Sequence, residues 1–135
     1  MADEKNFKLK IIAPERVFYE GEASFLELVT SEGEVGIYKN HIPMTMVLVP
    51  GIVRITEGDE VKVAALHSGF VEVLQDSITI LAEIAEWPDE IDINRAKEAK
   101  IRAERRLEMK DPNININRAE IALKKSLVRI EVADE

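Results

Sequence analysis

The residues whose types and spacing could do chemistry lie in the last third of the chain, and they are cations. Arg95 and Arg102 stand seven apart; Arg118, Lys125 and Arg129 follow at intervals of seven and four. On a helix of 3.6 residues per turn, each set shares one face. The spacing allows two readings. The first is a solvated face with intrahelical pairs such as Glu98–Arg102, each worth about 0.2–0.5 kcal/mol. The second is an anion site, assembled when two helices fold together and bring the cations near their N-termini. Catalytic patterns are absent: the sequence has no Gly-Lys dipeptide and hence no P-loop, no G-x-G-x-x-G, no nucleophile elbow and no cysteine. Its two histidines, His41 and His67, lie outside any H-E-x-x-H pattern and read as loop or core histidines. No catalytic residue and no metal ligand is assigned.

A duplicated phrase must position these cations. Ile91-Asp92-Ile93-Asn94-Arg95-Ala96 recurs as Ile114-Asn115-Ile116-Asn117-Arg118-Ala119. Asp92 and Asn115 are natural N-caps, able to accept the free N–H groups of a first helical turn. Behind them Ile93, Ala96, Ala99 or Lys100, Ala103 and Leu107 form one apolar stripe, and Ile116, Ala119, Leu123, Leu127 and Ile130 a second. With Asp111-Pro112-Asn113 between them, the two stripes predict a helical hairpin. Ala96, Ala99 and Ala103, opposite Ala119, Ala122 and Ser126, allow the helices to approach closely. So narrow an apolar face cannot stabilise the hairpin alone, which makes it dependent on docking and a candidate for movement.

Up to Glu86 the apolar residues come at strand spacing. Phe7–Ile11, Arg16–Tyr19, Phe25–Val29, Met44–Val49, Ile52–Ile55, Val61–Ala65, Phe70–Leu74 and Ile78–Ile84 read as strands, divided by turn signals such as Glu57-Gly58-Asp59-Glu60 and Gln75-Asp76-Ser77. Many short strands at this spacing predict an antiparallel sandwich or barrel over residues 1–87, followed by the hairpin over 88–135. Charge divides at the same place. Residues 1–90 carry 7 Lys+Arg against 17 Asp+Glu, whereas residues 91–130 carry 11 against 6. An acidic body repels phosphate, which argues against a nucleic-acid partner. The basic arm could meet an acidic protein surface, a nucleotide, or its own acidic body. No stretch is long and apolar enough to span a bilayer, and Met1-Ala2-Asp3-Glu4-Lys5 does not begin a leader, so a cytosolic location is expected.

Gly33-Glu34-Val35-Gly36-Ile37-Tyr38-Lys39-Asn40-His41-Ile42-Pro43, with Pro50-Gly51-Ile52-Val53-Arg54-Ile55, resembles the epsilon subunit family of bacterial F-type ATP synthases. The resemblance continues through His67-Ser68-Gly69-Phe70-Val71-Glu72-Val73, Ser77-Ile78-Thr79-Ile80-Leu81-Ala82 and the helical repeats, and so covers nearly the whole chain. It implies an antiparallel ten-stranded sandwich that grips the gamma subunit of the central stalk and rests on the c-subunit rotor ring. It implies a non-catalytic rotor subunit coupling rotation to ATP synthesis, peripheral to the cytoplasmic face of the bacterial plasma membrane. The hairpin would either fold against the sandwich or extend to the alpha and beta subunits of the head and block ATP hydrolysis. No cofactor is required on this reading, but ATP is a regulatory ligand of some members. Ile91, Asp92, Arg95 and Ala96 match their I-D-x-x-R-A motif, and Glu86, Arg102, Arg118 and Arg129 resemble further nucleotide contacts. Lys125 stands where the better binders carry Arg, which removes a bidentate phosphate contact. Trp87-Pro88 departs from the family's usual joint. Glu34, His41, Ile42 and Pro43 are the expected contacts to the rotor ring, from one loop. A free-standing ATP-binding sensor and a static structural brace are the competing function classes.

Overall fold

The computed structural model describes residues 5–134. Eight strands come first: β1 (Phe7–Ala13), β2 (Arg16–Ala23), β3 (Phe25–Thr30), β4 (Gly33–Ile37), β5 (Met44–Leu48), β6 (Gly51–Glu57), β7 (Glu60–Val73) and β8 (Ser77–Glu86). A 3-10 turn (Pro88–Glu90) leads into α1 (Ile93–Glu108) and α2 (Ile116–Ala133). Alternation explains the strands: along β1, Phe7, Leu9 and Ile11 are buried and Lys8 is exposed, so each strand presents one apolar face. All eight strands contribute buried residues to a single core between the layers of the sandwich, with Leu9, Ile11, Leu26, Ile55, Leu66 and Ile80 almost fully enclosed.

The sheet order is β2-β1-β8-β7-β5-β3-β4, with β6 pairing both β3 and β7 and thereby folding the sheet over on itself. Three expectations are corrected. Among the described residues the sandwich has eight strands, not ten, and it is mixed, because β1 runs parallel to β8. Gly33–Ile37, outside the expected strands, is a strand antiparallel to β3. Val61–Ala65 and Phe70–Leu74, read as two strands, fall, Leu74 apart, on the single long strand β7, which pairs with β6 through Leu66 and with β5 from Gly69 onward. The strand turns between these partners at Ser68 (φ 57°) and Gly69 (φ 149°). A Cβ at Gly69 would sit 1.9 Å from the carbonyl oxygen of Leu81, so this bend requires glycine twice over.

The joint is clamped. Trp87 stacks on Phe18 with ring centroids 4.3 Å apart and packs against the sandwich core. Arg16 donates to both carboxylate oxygens of Glu90 at 2.8 and 2.7 Å, while Glu90 accepts from the Trp87 N–H at 2.9 Å. The hydrogen bond and charge of Arg16 hold the Glu90 carboxyl below the usual range. The sandwich therefore reaches structurally to Glu90, and the helical arm begins at Ile91.

Both caps form as the sequence indicates. Asp92 accepts from the N–H groups of Asn94 and Arg95, and Asn115 accepts from that of Arg118. Ala96, Ala103, Ala119 and Ser126 are buried in the helix–helix seam. The second stripe is only partly right. Ile116 and Leu127 are exposed, and Val128 and Val132 are buried instead. α2 has two neighbours, α1 and the sheet, so its buried surface is broader than one stripe and turned towards β7.

Candidate functional site

The docked hairpin closes a cleft of 280 Å³ against the end of β8. Its walls are Glu86 and Glu90 from the sandwich side, Ile91 and the N-cap Asp92 at the start of the arm, Arg95, Ala96, Ala99 and Arg102 from α1, and Arg129 from α2. The N-cap fixes the start of α1, which sends Arg95 and Arg102 along one wall two turns apart. Glu86 is the centre of the polar wall. Its Oε1 accepts from Arg129 Nε at 2.7 Å and lies 3.1 Å from His67 Nε2. Burial pushes the Glu86 carboxyl up, but the bonds from His67 and Arg129 outweigh it and hold the group below the usual range.

Seven of the expected nucleotide-contacting residues thus share one cleft: Glu86, Ile91, Asp92, Arg95, Ala96, Arg102 and Arg129. Arg118 does not join them. It lines a separate 320 Å³ depression at the hairpin turn with Arg106 and Asn113–Asn115. The reason is antiparallel geometry: the start of α2 lies beside the end of α1, and Arg118 is about 16 Å along α2 from Arg129. Lys125 is half-buried one turn before Arg129 and is absent from the walls of the cleft. The Glu98–Arg102 pair allowed by spacing does not form among the described residues.

The cleft can hold an anionic group, but its size and charge set limits. At 280 Å³ it lies just below the range of about 300–1,000 Å³ typical of small-molecule sites. Arg95, Arg102 and Arg129 face Glu86, Glu90 and Asp92, so the walls carry no net charge. Each carboxylate is engaged already, in the cap, the Arg16 pair or the Glu86 cluster. The guanidinium groups of Arg95 and Arg102 make no ion pair among the described residues. Those two are the groups most available to a phosphate.

The expected rotor-ring residues do not share a loop. Glu34 is exposed at the start of β4, beside the Ser31-Glu32 turn, and also lines a cleft facing Lys124, Val128 and Glu131 of α2. His41, Ile42 and Pro43 lie beyond the other end of β4, where Ile42 is 77% exposed. Sequence reasoning also missed an apolar groove across β5, β7 and β8. Val47, Phe70 and Leu81 are about half exposed there, flanked by Pro14 and by Ile121 of α2. Spacing offered little signal, because each strand carries one apolar residue among polar outward ones such as Thr45, Glu72 and Glu83, and only the register sets Val47, Phe70 and Leu81 side by side.

Against known proteins, residues 6–88 match the beta-sandwich domain of the ATP synthase Delta/Epsilon chain, and residues 89–134 match its long alpha-helix domain. The ATP synthase epsilon chain of Halalkalibacterium halodurans is 44% identical over 126 residues, covering 93% of this chain and 95% of that one. That of Clostridium novyi is 47% identical over 129 residues, covering 95% and 98%. Among solved structures, a chain of the Euglena gracilis mitochondrial ATP synthase superposes with a TM-score of 0.83 at 22% identity, over 96% of this chain and 82% of that one, which shows a shared fold. Both segments of the structure, in this order and at this level of identity, lead to one conclusion: the chain belongs to the ATP synthase epsilon chain family, whose members are non-catalytic subunits of the F-type enzyme.

Proposed function

We propose that this central-stalk subunit couples rotation to ATP synthesis and restrains ATP hydrolysis through its hairpin, which exchanges between the docked position and an extended one reaching the catalytic head. The observation that carries this reading is the small hairpin–sheet interface. Val128 and Val132 meet Ala65, with Ile52, Val63 and Ile91 at the edge, and the Arg129–Glu86 pair closes one side. Burying two valines contributes about 3–6 kcal/mol before the cost of ordering the arm, so docking is a small quantity that a partner or ligand can reverse.

ATP in the Glu86–Arg102 cleft is part of the same proposal. A ligand shifts the equilibrium only by preferring one state, and only the docked hairpin brings Arg129 to Arg95 and Arg102. Because Arg129 must be shared with Glu86 and the walls are neutral overall, the affinity is modest. Arg95→Ala weakens binding in calorimetric titration with ATP, and a chain giving no heat at millimolar ATP would remove nucleotide sensing from the account.

The apolar groove at Val47, Phe70 and Leu81 supports the gamma subunit as its occupant, since an exposed patch of this kind on a stalk subunit calls for a permanent partner. Glu34, His41, Ile42 and Pro43 remain the proposed contacts to the c-subunit ring, as two separate touching points. Assembly there would place the subunit on the cytoplasmic face of the bacterial plasma membrane. The deciding experiment removes residues 91–135 and keeps the Trp87–Glu90 clamp. ATP hydrolysis by the reassembled head and stalk then rises while assembly is retained. Unchanged hydrolysis would make the hairpin a static brace.

A further inference from the structure

Val63, Ala65 and His67 project from the same side of β7, towards α2, whereas Leu66 points into the sandwich core. His67 is the polar member of that row and is fully buried. Among the described residues its ring has one hydrogen-bond partner, Glu86 Oε1, at 3.1 Å from Nε2. An ionised carboxylate can only accept, so Nε2 carries the proton, and the neutral ring leaves Nδ1 bare. Nδ1 indeed has no partner in its enclosed position. A second proton would place an N–H at Nδ1 with nothing to accept it.

The charged groups acting on the ring come from two elements packed around it. Glu86 of β8 favours a positive ring; Lys125 and Arg129 of α2 oppose it. Burial pushes the ring down, and the two α2 cations add to that, against the Glu86 bond. Every unfavourable contribution except the buried setting of the strand itself arrives with α2. Once α2 leaves, water reaches Nδ1, both cations depart, and Glu86 loses Arg129 and is left beside the imidazole.

We infer that His67 is a proton-operated release for the hairpin, because its ring can accept a second proton when α2 is undocked and cannot while α2 covers it. This rests on the reading of the hairpin as a movable arm. The sign follows from linkage. The docked state binds fewer protons at His67 than the undocked state, so acid favours undocking. The effect is absent above the undocked midpoint, about pH 6.5 for an ordinary histidine, and grows as pH falls below it. Between pH 8 and pH 5.5 the ratio of docked to undocked chain should fall about tenfold. Acidification and nucleotide would then shift the hairpin in opposite directions.

The chain has no cysteine, so a Val132→Cys thiol reports undocking without background. Its labelling rate is compared at each pH with that of the denatured chain, which cancels the intrinsic ionisation of the thiol. In the full-length protein, protection of this thiol is expected to fall about tenfold from pH 8 to pH 5.5, and His67→Gln in the same background should flatten the response. The same fall with His67→Gln, or no fall in its parent, overturns the release mechanism while leaving a movable hairpin intact. A thiol protected as strongly as one at Leu66→Cys in the sandwich core would instead show that the hairpin never undocks, and both readings fail together. If His67→Gln does not fold, the ring is titrated by NMR in the Arg129→Gln chain. A midpoint higher than in the unmutated protein is the expected result, and an unchanged midpoint overturns the inference.

Discussion

In the sandwich, every strand sends buried side chains into one core, and β6, β7 and β8 are knitted by register pairs along their lengths. The hairpin, by contrast, meets the sheet through Val128 and Val132 on Ala65, with one ion pair beside them. Its own seam is built of Ala96, Ala103, Ala119 and Ser126, which permit close approach but bury little apolar area. The difference separates two tasks within one short chain. The sandwich is a rigid base for partners, and the arm is held by interactions of the size that a ligand, a proton or a neighbouring subunit can outweigh. Trp87 and the Arg16–Glu90 pair mark where rigidity ends.

Substitutions should therefore fall into two classes, and the largest effect belongs to the bend in β7. Gly69→Ala forces a Cβ onto the Leu81 carbonyl at a φ that other residues rarely adopt. It should cost more than about 4 kcal/mol and leave little folded sandwich by circular dichroism. Leu66→Ala comes next, with about 2–5 kcal/mol lost from the cooperative melt of the sandwich. Val132→Ala also removes a fully buried side chain, but it should leave that melt unchanged and weaken only hairpin docking, by about 1–2 kcal/mol. Equal loss of sandwich stability from both substitutions would erase the distinction between the two regions.

Much of this division was legible in the sequence, and the failures have local causes. Alternation found β1 at Phe7, Leu9 and Ile11, and the repeated phrase found both N-caps at Asp92 and Asn115. β4 escapes the strand pattern because Gly33 and Gly36 interrupt its apolar alternation, yet Val35 and Ile37 carry strand pairing there. β7 was split at Ser68-Gly69, where a break signal marks a bend between two partners. Helical periodicity located an apolar stripe on α2 but could not tell two adjoining faces apart, so Leu127 was favoured over Val128. Of the cation stripe, Arg95, Arg102 and Arg129 converge, whereas Arg118 is separated by the antiparallel turn. The role of His67 needed the pairing of β7 with β8 and the position of α2, neither of which spacing reveals.

Smaller effects sharpen the comparison at the arm. Arg129→Ala leaves Glu86 with His67 alone and should weaken docking by about 1–3 kcal/mol, read as faster amide exchange in α2 with β7 unchanged. Glu86 contributes with the same sign as His67, since both groups bind a proton less well in the docked state, but in a lower pH window. Its carboxyl is held low in the docked state, so its share of stability is present above the ordinary carboxylate range and is lost as pH falls through the depressed value. Asp92→Ala removes the cap of α1 and should cost about 1 kcal/mol of helix stability, seen as fraying of the first turn.

The central claim is a fixed base carrying an arm that opens on its own. Native-state amide exchange of the unmodified full-length chain tests it most directly, by comparing the amides of α2 with those of β7 and β8 under increasing mild denaturant. The account predicts two classes, with the α2 amides exchanging through an opening several kcal/mol less costly than unfolding of the sandwich. A single class, in which α2 and β7 share one opening free energy and one denaturant dependence, would contradict it.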